Sequence, residues 1–116
     1  MKYALLIYTN EAQEMKMSEA EQQEVMGAYY AFTNELSTAG ANLGGEALLP
    51  TTTAKSVRVR DGETVVTDGP FAETKEQLGG FYLVEAASEE EAIQWAAKIP
   101  GSQVGTVEIR QLMMFE

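Results

Sequence analysis

Apolar positions come in short runs along this chain, and their periods separate strands from helices. Residues 2–8 (KYALLIY) form a strand-length run that is apolar on both of its faces. A polar stretch, residues 9–17, follows. Ser18 and Glu21 then stand at capping-box spacing, which predicts a helix from there to about Ala39, with Gly40 as its stop. Val25, Tyr29, Phe32 and Leu36 make its apolar stripe, with Met26, Tyr30 and Thr33 beside it and Glu19, Glu24 and Glu35 on the solvated side. Residues 42–49 read as a short strand interrupted by Gly44-Gly45 and closed by Pro50. Next, AKSVRVR and ETVVT flank Asp61-Gly62, a type I′ hairpin signal that pairs Arg60 with Glu63, Val59 with Thr64 and Arg58 with Val65. After a loop over residues 68–79, GFYLVEA is a strand. Ser88 and Glu91 repeat the capping box before a helix to about Lys98, with Ala92, Ile93, Ala96 and Ile99 as its apolar side and Trp95 flanking. Pro100-Gly101 ends that helix, and residues 106–115 (TVEIRQLMMF) predict a long final strand.

The order of elements is that of an α+β, ferredoxin-like βαββαβ domain with an inserted β-hairpin. Two helices cover only one face of such a sheet. Yet Ala4-Leu5-Leu6-Ile7, Phe81-Tyr82-Leu83-Val84 and Leu112-Met113-Met114-Phe115 are apolar on both sides. The economical cover for the second face is a second copy, packed sheet on sheet as a two-fold dimer with a pocket between or beside the sheets. The alternative is that the extra apolar residues sit at strand ends.

Composition narrows the chemistry. A length of 116 residues fits one domain, and the absence of His and Cys removes triads, thiolate nucleophiles, disulfides and His/Cys metal sites. Carboxylates, Lys and Tyr are left as the acids and bases. No metal-ligand spacing and no Gly-rich phosphate loop is present, so the expectation is no metal and no cofactor. Eighteen acidic against eight basic residues give a net charge of −10, which disfavours nucleic acid and anionic membranes as partners. The apolar run near the N-terminus is too short for a signal segment or a membrane span, which points to a cytoplasmic protein.

The stretch TDGPFAETKEQLGG, residues 67–80, with the opening MKYALLIY, GGEALLP, VRVRDGETVV and the closing GTVEIRQLM, resembles the DGPF branch of the YCII-related family over nearly the whole chain. The resemblance implies a dimeric α+β barrel. It also implies small-molecule enzymes among wider relatives, which use a His–Asp pair for acid–base work; without His, only the acidic partner has an equivalent here. Members of this branch are often encoded beside extracytoplasmic-function sigma factors, which implies a regulatory partner.

Six residues carry the candidate chemistry. Asp68, where a strand meets a Gly-Pro turn, is either a carboxylate at a pocket mouth or a staple accepting from the following backbone N–H groups. Phe71, aimed by Pro70, is either a pocket wall or a core anchor. Glu46, after Gly44-Gly45, is either a half-buried general base or an edge-strand charge that blocks aggregation. Lys75, the one cation of its loop, and Arg58 and Arg110, on strands, are candidates for an anionic substrate or for structural ion pairs. Gly79-Gly80 marks either close backbone packing or a hinge for residues 68–78. Two functions fit: a cofactor-free enzyme in which Asp68 or Glu46 moves a proton, and a non-catalytic ligand-binding or protein-interaction module. The enzyme requires an enclosed pocket around a carboxylate, and the module an exposed apolar patch or a pocket without convergent polar groups.

Overall fold

The computed structural model describes residues 1–115. These residues form strand β1 (Lys2–Thr9), a short helix α1 (Glu11–Glu14), α2 (Glu19–Thr38), β2 (Asn42–Ala47), β3 (Lys55–Arg60), β4 (Glu63–Asp68), β5 (Gln77–Glu85), α3 (Glu89–Lys98) and β6 (Thr106–Gln111). Single 3₁₀ turns lie at Thr51–Thr53 and Pro100–Gln103. Four strands pair antiparallel in the order β2-β5-β1-β6, which is the ferredoxin-like sheet, and β3-β4 form a separate two-stranded sheet.

Local chemistry explains the boundaries. At the start of α2 the Ser18 hydroxyl accepts from the Glu21 amide, and the Glu21 carboxylate accepts from the Ser18 amide. That backbone bond, helped by the hydroxyl, holds the Glu21 carboxyl below its ordinary value. Asp61 (φ 51°) and Gly62 (φ 77°) both take the left-handed region that a type I′ turn requires, and the hairpin register is as the Asp-Gly signal predicts. The final strand stops at Gln111, short of the predicted Phe115. Gln111 pairs with Tyr3 and the Leu112 amide donates to the Lys2 carbonyl, at which point β1 has no further residue to offer.

Helices α2 and α3 lie on one face of the four-stranded sheet. Tyr3, Leu5 and Ile7 of β1, Val84 of β5, Phe32 and Leu36 of α2, and Ala92, Ala96 and Ile99 at α3 make the core. Phe32 meets the Tyr82 and Trp95 rings edge-on at 5.0 and 6.2 Å. The buried side of α3 is therefore Ala92, Trp95, Ala96 and Ile99. Ile93, predicted to belong to it, is exposed because the i, i+3, i+4, i+7 stripe is completed by the indole. Along α2, burial falls away toward the N-terminus, from Leu36 and Phe32 through half-buried Tyr29 to exposed Val25. The Tyr29 hydroxyl accepts from the Gly101 amide at 3.1 Å, and burial raises its ionisation above the usual phenol range.

Two glycines behave differently enough to be compared directly. A Cβ on Gly105 would stand 2.1 Å from the Tyr8 carbonyl oxygen, a backbone atom that cannot swing aside. A Cβ on Gly79 would meet nothing nearer than 3.8 Å. Gly105→Ala is expected to lower stability by about 1–3 kcal/mol, and Gly79→Ala to change it by less than about 1 kcal/mol, both read by urea unfolding. Gly80 is of the first kind: a Cβ there would lie 2.9 Å from the Glu46 carbonyl oxygen, so this position serves close packing of β5 on β2.

Candidate functional site

Side-chain alternation divides the four-stranded sheet into a covered face and an open one. With Tyr3, Leu5, Ile7, Tyr82 and Val84 on the helix side, Ala4, Leu6, Tyr8, Phe81 and Leu83 point the other way. Leu6, Tyr8, Phe81 and Leu83 are half-buried by their neighbours in the sheet, and none joins the helix-side core. Cross-strand register adds charges at both edges of this apolar centre. Glu46 of edge strand β2 stands opposite Phe81, while Glu108 and Arg110 of edge strand β6 stand opposite Leu6 and Ala4. The molecule is 18 Å across its thinnest dimension, about the depth of one sheet and one helix layer.

At one end of the sheet, residues 9–14 bring a groove into being. Asn10 caps α1 by accepting from the Gln13 amide at 3.0 Å. The Glu11 carboxylate takes the Thr51 amide (2.9 Å) and hydroxyl (2.6 Å), and the Glu11 amide donates to Gln77 Oε1 at 3.0 Å. Gln77 Nε2 donates to the Thr74 carbonyl, Thr106 donates to Glu76 Oε1 at 2.9 Å, and Thr9 donates to Glu14. Two hollows, of about 470 and 410 Å³, lie along this stitched region, and Asn10 and Lys75 line both. The carboxylates of Glu11, Glu14 and Glu76 are thus engaged by hydroxyls and amides. Lys75 has no ion-pair partner among the described residues. An unpaired ammonium in a concave polar setting can hold an anion.

The six candidate residues do not converge in one copy of the chain. Asp68 is largely exposed and forms an ion pair with Lys55, its opposite number in the hairpin register, rather than accepting from the backbone of its own turn. Phe71 is 82% exposed and neither walls a hollow nor anchors the core. Glu46 is exposed on the open face. Arg58 projects from the hairpin with no carboxylate within ion-pair distance among the described residues, and Arg110 pairs with Glu108 at 3.2 Å. Lys75 alone lies in the groove. The groove's other half, Asn10 and Gln13, is absent from the candidates, although Asn10 and Gln13 have the cap-to-N3 spacing that located the other two helices. Among the described residues no group of three or more carboxylates converges as a metal site, and no helix is long and apolar enough to cross a membrane.

Comparison with known proteins places these features in a family context. The model of the YCII-related domain matches residues 1–116. An uncharacterized protein of Rhizobium meliloti (strain 1021) is 42% identical over 119 aligned positions, which take in all of this chain and 95% of the relative.

Proposed function

The chain belongs to the YCII-related domain family, and from that premise we propose that it works as a homodimer that binds a small anionic molecule through Lys75. The observation that carries the binding site is the unpaired Lys75 ammonium lining both hollows beside Asn10. The apolar open face, with Leu6, Phe81 and Leu83 at its centre, supports the dimer, because stacking two such faces removes them from water about 10 Å apart. The DGPFAETKE run supports the DGPF branch of the family. Binding is proposed in preference to turnover because Glu46 and Asp68 are both exposed, lie on separate sheets and line neither hollow.

A single exposed ammonium contributes about 1 kcal/mol to an ion pair, so simple anions are expected to bind weakly, with dissociation constants of roughly 0.1–0.2 M. Titrating the isotope-labelled protein with acetate and with phosphate should move the amide signals of Asn10, Gln13, Thr74 and Glu76. Lys75→Ala should weaken this response about five- to tenfold, and Lys75→Arg should largely keep it. Equal responses in the wild-type protein and Lys75→Ala, or shifts centred on other cations, would remove the groove from consideration.

A further inference from the structure

The two hollows that meet at Asn10 and Lys75 differ in whether their polar walls already have partners. In the hollow of about 410 Å³, Glu11 accepts from the Thr51 amide and hydroxyl, while Gln77 accepts from the Glu11 amide and donates to the Thr74 carbonyl. The hollow of about 470 Å³ is lined by Asn10, Gln13, Lys75, Glu76 and Val104, and its polar groups are largely free. Neither the Lys75 ammonium, the Gln13 carboxamide nor the Asn10 amide nitrogen makes a hydrogen bond among the described residues, since Asn10 is engaged through its oxygen. The Glu76 carboxylate accepts from Thr106 through one oxygen, at 2.9 Å, and keeps the other free among the described residues. Lys75 and Glu76, neighbours in sequence, line this hollow together yet lie beyond ion-pair distance of each other. Val104, 76% exposed, supplies the apolar wall.

An ammonium and a carboxylate held apart in one hollow favour a ligand that carries both charges. A simple cation placed there meets Lys75 as well as Glu76, and a simple anion meets Glu76 as well as Lys75. An anion also approaches against the field of a chain whose net charge is −10. A zwitterion is neutral overall, so that field does not oppose it, and each of its charges finds the opposite one in the hollow. The free amide groups of Asn10 and Gln13 offer neutral donors and an acceptor for the positions the two charged side chains leave open. We infer that this hollow takes a free α-amino acid with a small apolar side chain, its carboxylate at Lys75, its ammonium at Glu76 and its side chain against Val104. The assignment rests on the reading that Lys75 holds an anion, and it names the class of that anion.

The test titrates the isotope-labelled full chain, at constant ionic strength, with L-valine and with its two charge-deleted analogues, 3-methylbutanoate and isobutylamine. The amide signals of Asn10, Gln13 and Glu76 are the readout. Valine should bind about fivefold tighter than either analogue, the increment of one further exposed ion pair. Glu76→Gln keeps an oxygen that can accept from Thr106 while removing the charge. It should weaken valine about fivefold and leave 3-methylbutanoate bound at least as well as in the wild-type chain. Valine binding no tighter than 3-methylbutanoate, with Glu76→Gln equal to the wild type toward valine, overturns the amino-acid assignment and leaves the anion reading standing. If neither valine nor 3-methylbutanoate moves these signals, or if both move them equally in Lys75→Ala and the wild type, the anion reading falls and the assignment with it.

Discussion

Leu83→Glu should leave the chain folded and make it monomeric. Leu83 lies between Gly44 and Ala4 on the open face, outside the helix-side core, so in a single copy the new carboxylate faces water and costs the fold little. In a sheet-on-sheet pair the same position is desolvated, and two-fold symmetry brings in a second carboxylate from the other copy. Burying a charge without a partner at an interface costs several kcal/mol, so the dissociation constant should rise about a hundredfold or more. Sedimentation reads the association and far-ultraviolet circular dichroism the fold. A variant that dimerises like the wild-type chain would place the contact elsewhere.

Leu36→Ala should produce the larger loss of stability, by about 2–5 kcal/mol. Leu36 is completely buried within the cluster that joins α2 to the sheet, and truncation removes apolar contact while leaving a hole that its neighbours fill only partly. For a domain of this size a loss of about 3 kcal/mol lowers the melting temperature by roughly 12 °C. Ile93→Ala is the comparison: Ile93 is 49% exposed on α3 and alanine is the better helix former, so its cost should stay under about 1 kcal/mol. Similar losses for the two would mean that Ile93, not Trp95, completes the buried stripe of α3.

The contrast between these two residues shows what could be read from the residues alone. Ser18 with Glu21, Ser88 with Glu91 and Asp61-Gly62 act through neighbours in sequence, so the starts of α2 and α3 and the hairpin register were legible to the residue. The order of strands followed from their alternation with helices. The end of β6 was not legible, because it depends on where β1, about a hundred residues earlier, runs out of partners. Nor was the side of α3 on which Ile93 falls, because Trp95 packs on Phe32 from another helix. The site divides in the same way. Lys75 stands out as the cation of its loop, but the groove joins residues 10–13, 51 and 74–77 through tertiary hydrogen bonds. Asp68 took its partner from the opposite strand instead of its own turn, which the Lys55-to-Asp68 register already contained.

The open face of the β2-β5-β1-β6 sheet is the feature on which the proposed dimer depends. Sedimentation equilibrium of the wild-type chain, over about 1 µM to 1 mM, tests it most directly, since a stable interface of this kind falls in or below that range. The expected result is a species of twice 12.7 kDa that persists at the lower concentrations. A single 12.7 kDa species across the whole range would contradict it.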